Sequence, residues 1–201
     1  MNMPTSDFIK SDEELVELAK KGDDASYQEL MRRSLKPVYN FVYTYVRTPE
    51  ETDDITQDTF FKAWKFINQF KSEKKWRPWI FTIARNTALD HIKKKRAVPF
   101  SNLDDKDSSL QFSENIEDTE PLADQLFENA QNATEISVAL KTLRAEYQSV
   151  IMLHYHQELT FEEIASVMGT PMNTVKSWHR RALEDIRRIL SSPTQIKAAP
   201  K

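Results

Sequence analysis

LTFEEIASVMGTPMNTVKSWHRRALEDIRRIL, residues 159–190, places Gly169, one of only two glycines in 201 residues, between two short amphipathic segments and follows it with Pro171. Thr160 with Glu163 three residues on fits a capping box. A helix is therefore predicted over Phe161–Met168, with Ile164, Ala165 and Met168 inward. Gly169 supplies the left-handed residue that stops a helix sharply, and Pro171 bars simple continuation. The second helix carries Val175, His179, Ala182, Ile186 and Ile189 on one stripe. Its opposite side, near the start, offers Asn173, Thr174, Lys176, Ser177, Arg180 and Arg181. Hydrogen-bonding and cationic groups at the start of a second helix are what a helix-turn-helix presents to base edges in a major groove. A helical hairpin with a solvated basic face has the same pattern.

Working outward, two glycines, nine prolines and no Asn-Gly or Asp-Gly pair leave little for hairpin turns, so an all-α fold is expected. The absence of cysteine removes disulfides, thiolate catalysis and sulfur-ligated zinc. MNMPTSDFIK lacks a signal-peptide pattern and no apolar run approaches the ~20 residues of a membrane span, so a cytoplasmic protein without membrane insertion is expected. The net charge of −3 argues against a nucleic-acid binder only until it is located. Between residues 101 and 135 ten acids face the single base Lys106, a net of −9, so the remainder carries +6.

Three parts follow. Residues 12–96 read as packed helices, with stripes such as Ile55, Thr59, Ala63, Phe66 and Ile67, or Ile80, Ala84, Thr87, Ala88 and Ile92. Residues 97–133 are acidic, polar and weakly periodic, a flexible linker with a short helix around 122–127, spanning roughly 30–35 Å on average as a coil. Residues 134–192 are helical again and end in the helix-turn-helix. The architecture is two small helical domains joined by a flexible acidic linker.

Two surfaces of the first part carry chemistry. On the helix after Pro49, Asp54, Gln57, Asp58, Phe61 and Lys65 share one side, away from the Ile55/Thr59/Phe66 stripe, and suit a basic groove on a partner. An acidic first turn complementing the helix dipole accounts for Asp53. FKSEKKWRPW reads as a loop leading into a helix over residues 79–96, where Trp79, Ile83, Asn86, Asp90 and Lys93 form a stripe ending in Lys93, Lys94, Lys95 and Arg96. Base-stacking aromatics beside cations are what single-stranded DNA requires.

LTFEEIASVMGTPMNTVKSWHRRAL resembles the promoter-reading domain of bacterial RNA polymerase sigma factors of the extracytoplasmic-function type. DDITQDTFFKAWKFINQF and WRPWIFTIARNTALDHIKKKR are similar to their other domain. The resemblance implies that Asp54, Gln57, Asp58 and Phe61 dock on core RNA polymerase. It implies that Trp76, Trp79, Asn86, Lys93, Lys94 and Arg96 engage the melted minus-ten strand. It assigns Asn173, Thr174, Lys176, Ser177, Arg180 and Arg181 to the minus-thirty-five duplex. Core polymerase, promoter DNA and an anti-sigma factor are the implied partners. Trp178 and His179 depart from the family pattern, as do Arg144 and Gln148.

No nucleophile elbow, phosphate-binding glycine loop or paired catalytic carboxylate is recognisable, and His154 and His156 are spaced for different helix faces, so no enzyme activity, cofactor or metal is expected. The competing readings are a stand-alone dimeric helix-turn-helix regulator and a decoy adaptor that does not read promoters.

Overall fold

The computed structural model describes residues 10–71, 73–97 and 133–191, except the side chains of residues 96, 97, 133 and 134. The expected linker at 98–132 lies outside the described residues. Packing divides the chain into two units between Leu89 and Asp90, inside a helix.

In the first unit, α1 (Asp12–Lys20) starts at a capping box: Ser11 Oγ accepts the Glu14 N–H at 3.1 Å and the Ser11 N–H donates to Glu14 Oε2 at 2.7 Å. Gly22, at φ 90°, turns the chain into α2 (Asp24–Val46). α3 (Pro49–Phe66) has its proline in the first turn, where a missing N–H costs nothing, and runs into a 3-10 turn (Ile67–Gln69). That change of winding accompanies Phe66, expected on the inward stripe of α3, turning outward at 38% exposed, while Ile67, expected on the same stripe, is buried.

α4 (Trp76–Ala97) begins three residues earlier than the expected 79. Pro78 is tolerated because first-turn amides have no intrahelical acceptor. Trp76 is drawn in by distant partners: its indole N–H donates to Ser34 Oγ at 3.0 Å and its backbone N–H to Glu13 Oε1 at 3.2 Å. Around it Val16, Leu30, Phe41, Ile55, Ile80 and Phe81 are buried, with Phe41 and Phe81 edge to face at 5.2 Å.

The second unit contains α5 (Ala133–Thr142), α6 (Ala145–Ile151), a π-helical turn (Met152–His156), α7 (Phe161–Met168) and α8 (Met172–Leu190). Ala139, Leu143, Tyr147, Ile151, Ala182 and Ile186 form its core, and Trp178 packs partly buried against that core. Gln148 settles the α5–α6 turn: its side-chain amide donates to the carbonyls of Leu140 and Leu143, capping the open end of α5. α7 has both halves of the capping box, with Thr160 Oγ1 accepting the Glu163 N–H at 3.2 Å and the Thr160 N–H donating to Glu163 Oε2 at 2.9 Å. Gly169 takes φ 56° and the Thr170 N–H reaches back to the Ala165 carbonyl at 3.1 Å, closing α7. Inward positions are Ile164, Val167 and Met168. Ala165, expected inside, is only half-buried, while Val167, not expected there, is buried.

Candidate functional site

On α3 the four residues singled out by spacing, Asp54, Gln57, Asp58 and Phe61, are all exposed, Phe61 at 66%. Gln57, Phe61 and Trp64 form a second stripe of α3, and with Leu35 and Phe60 they line a shallow groove against α2 of about 330 Å³. A helix with one apolar stripe in the core and a second at the surface has a surface ready for a partner. Leu35 (49% exposed) and Trp64 (38%) were not among the expected site residues. The signal that would have found them is the apolar residues left over once the core stripe is assigned.

Along α4, Asn86, Asp90, Lys93, Lys94 and Lys95 are exposed, and Trp79 is half-buried, its ring edge-on to Phe70 at 5.3 Å. The side chain of Arg96 lies outside the described residues. Trp76, expected on the melted minus-ten strand, is instead fully buried, with its ring against Phe70 and Trp79 and its N–H committed to Ser34. No face is left for a base. A tryptophan beside a lysine-rich segment has the composition of a stacking site, but its hydrogen-bond partner comes from 42 positions away in the chain.

At the start of α8 the structure brings together Asn173, exposed, and Thr174, Lys176, Ser177, Arg180 and Arg181, half-buried. The opposite stripe, Val175, His179, Ala182, Leu183 and Ile186, is buried. The first turn of α8 has no acidic residue, so the partial positive charge of its N-terminus is uncompensated. α3, by contrast, begins with Glu50 and Glu51. Arg180 pairs with Glu184 at 3.4 Å, one turn on, while Lys176 and Arg181 make no ion pair with another described residue. Cations held on a helix but free of carboxylates can neutralise phosphates, and the amide- and hydroxyl-bearing residues ahead of them can pair with base edges.

His179 is 1% exposed and its Nε2 lies 3.0 Å from Tyr155 Oη. Burial, reinforced by neighbouring His154, lowers its pKa to about 4, so the ring is neutral near pH 7. Among the described residues no cluster of three or more His, Cys, Asp or Glu is placed to hold a metal ion. No helix among them is long and apolar enough to cross a membrane.

The family model for Sigma-70 region 2 matches residues 30–98 and that for Sigma-70, region 4 matches residues 133–186. The chain is 26% identical over 183 residues to the RNA polymerase sigma-H factor of Pseudomonas aeruginosa, covering 90% of this chain and 94% of that protein. It is 27% identical over 179 residues to the ECF RNA polymerase sigma factor SigW of Bacillus subtilis, covering 87% and 94%. Its fold is similar to that of CnrH, solved in complex with the cytosolic domain of CnrY, with a TM-score of 0.62 at 20% identity over 92% of this chain and 100% of that one. It is also similar to the sigma factor RpoE of Bartonella quintana, solved with the anti-sigma factor NepR, at 0.58 and 19% over 83% and 98%.

Proposed function

Because this chain belongs to the sigma-70 family of RNA polymerase sigma factors, in its extracytoplasmic-function branch, and so directs promoter-specific transcription, we propose how its surfaces divide that work. Residues 12–96 act as region 2, residues 134–192 as region 4, and residues 97–133 connect them. Asp54, Gln57, Asp58 and Phe61 dock on core polymerase, the carboxylates meeting cations and the exposed ring filling an apolar recess. Trp79, Asn86, Lys93, Lys94 and Arg96 hold the melted minus-ten strand. Asn173, Thr174, Lys176, Ser177, Arg180 and Arg181 read the minus-thirty-five duplex.

The observation that carries this reading is the start of α8, where hydrogen-bonding side chains and the cations Lys176 and Arg181, in no ion pair with another described residue, surround a helix N-terminus with no acid in its first turn. Strand opening then draws on binding energy within the polymerase complex and calls for no hydrolytic site in this chain. The protein works in the cytoplasm, beside polymerase and DNA. CnrH and RpoE were solved with CnrY and the anti-sigma factor NepR, and we propose that a protein of the anti-sigma kind likewise restrains this chain. The stand-alone regulator reading loses its support because the N-terminal half matches region 2.

The test is transcription in vitro by bacterial core polymerase on fragmented genomic DNA, with and without this protein, sequencing the RNA 5′ ends. New start sites sharing a two-part upstream motif are expected. Absence of new starts with active core, together with retention of a palindromic fragment by the protein alone, would restore the regulator reading.

A further inference from the structure

None of the roles above uses the polar and aromatic cluster inside the second unit. His179 stands mid-way along the inward stripe of α8, where its neighbours Val175, Ala182 and Ile186 are hydrocarbon. Its ring meets His154 and Phe161 at centroid distances of 5.3 and 5.1 Å, in addition to its 3.0 Å contact with Tyr155 Oη. His154 stacks on Phe161 at 4.7 Å with 14° between planes, and its Nδ1 donates to the Leu159 carbonyl at 3.0 Å. The cluster joins the π-helical turn, which contributes His154 and Tyr155, to the first residue of α7 and the middle of α8.

A hydrocarbon at position 179 would fill the space without needing a partner, whereas a buried imidazole is costly unless it is hydrogen-bonded. What the imidazole adds is direction. Apolar burial is non-directional, so an aliphatic stripe resists a small roll of its helix only through packing. A hydrogen bond weakens steeply once misaligned. The side chains of a helix end about 5–6 Å from its axis, so a roll of about 20° displaces them by about 2 Å, enough to separate a donor from a base acceptor.

We propose that the Tyr155–His179 hydrogen bond is a positioning device that fixes the roll of α8 and thereby the base selectivity of Thr174, Lys176 and Ser177. It rests on the assignment of α8 as the minus-thirty-five reading helix. Tyr155 and His179 touch no DNA and act through the helix they hold.

The experiment uses the full-length protein with core polymerase on its mapped promoter and on copies carrying single base changes in the minus-thirty-five element. His179→Leu fills the site but loses the bond, and Tyr155→Phe removes only the hydroxyl. Each is expected to reduce the ratio of matched to mismatched transcription by about tenfold, the scale of one good base contact. The double variant is expected to be no worse than either single one, and His179→Leu to melt no lower than wild type. Wild-type selectivity in both single variants overturns the proposal, as does a loss that merely follows lowered stability. A wild-type protein that itself ignores minus-thirty-five base changes overturns the parent assignment and this inference with it, so the two failures are distinguishable.

Discussion

On the first unit, Leu35, Phe61 and Trp64 remain 49%, 66% and 38% exposed beside a row of carboxylates, whereas on the second the N-terminal end of α8 presents amide, hydroxyl and cationic groups, with Met172 at 40% as its exposed large hydrophobic. The two faces sit on similar amphipathic helices, so the difference lies in what each helix does with residues its core does not need. α3 uses them for a second apolar stripe, which gains from contact with another protein's apolar surface. α8 uses them for groups that water already satisfies and that DNA can satisfy with phosphates and base edges.

The most forceful way to break this comparison is Trp76→Ala. If Trp76 belongs to the core, the first unit should lose about 3–5 kcal/mol, read by circular dichroism during denaturation. Unchanged stability with lost promoter opening would return Trp76 to the DNA face and blur the contrast.

Next in size is a pH effect centred on His179 in the second unit, since residues 1–89 contain no histidine to titrate between pH 7 and 5. The folded pKa of His179, about 4, lies below the ordinary 6.5, so the unfolded chain takes up the proton first as pH falls. The contribution is complete above pH 6.5, declines as pH falls toward 4, and amounts to about 3 kcal/mol over that window. His179→Leu should abolish that slope in urea titrations between pH 7 and 4, and persistence of the slope would assign it to other groups.

Phe61→Ala should weaken binding to core polymerase by about thirtyfold, or ~2 kcal/mol, in a competition assay with no loss of fold stability, because the ring is exposed. A drop in melting temperature instead would make Phe61 structural. The smallest effect is that of Arg181→Ala: the log–log salt slope of promoter DNA binding should become shallower by about one unit, with base preference unchanged. A changed preference at one base would move Arg181 from phosphate neutralisation to readout.

Much of the helix-turn-helix was legible because its signals are local. The Thr160–Glu163 box, the turn at Gly169 and the stripe of α8 each involve groups within a turn or two of one another, and backbone sterics and hydrogen-bond reach fix their meaning wherever they occur. The Asp54–Phe61 side of α3 was legible for the same reason, as spacing on one helix. Trp64 was legible in the same way, as an apolar residue left over on α3, whereas Leu35, on α2, completes that face only once α2 lies against α3.

By itself, then, the sequence determined an all-α fold class, the bounds of α7, most of the inward and outward sides of α3 and α8, and the placement of acidity between residues 101 and 135. The tertiary structure alone decided the fate of single aromatic and polar side chains: Trp76 inside rather than on DNA, Phe66 outside rather than in the core, and His179 paired with Tyr155. The reason is range. Helix periodicity and capping act over three or four residues, whereas burying an indole or an imidazole is favourable only if a partner such as Ser34 or Tyr155 arrives from tens of residues away.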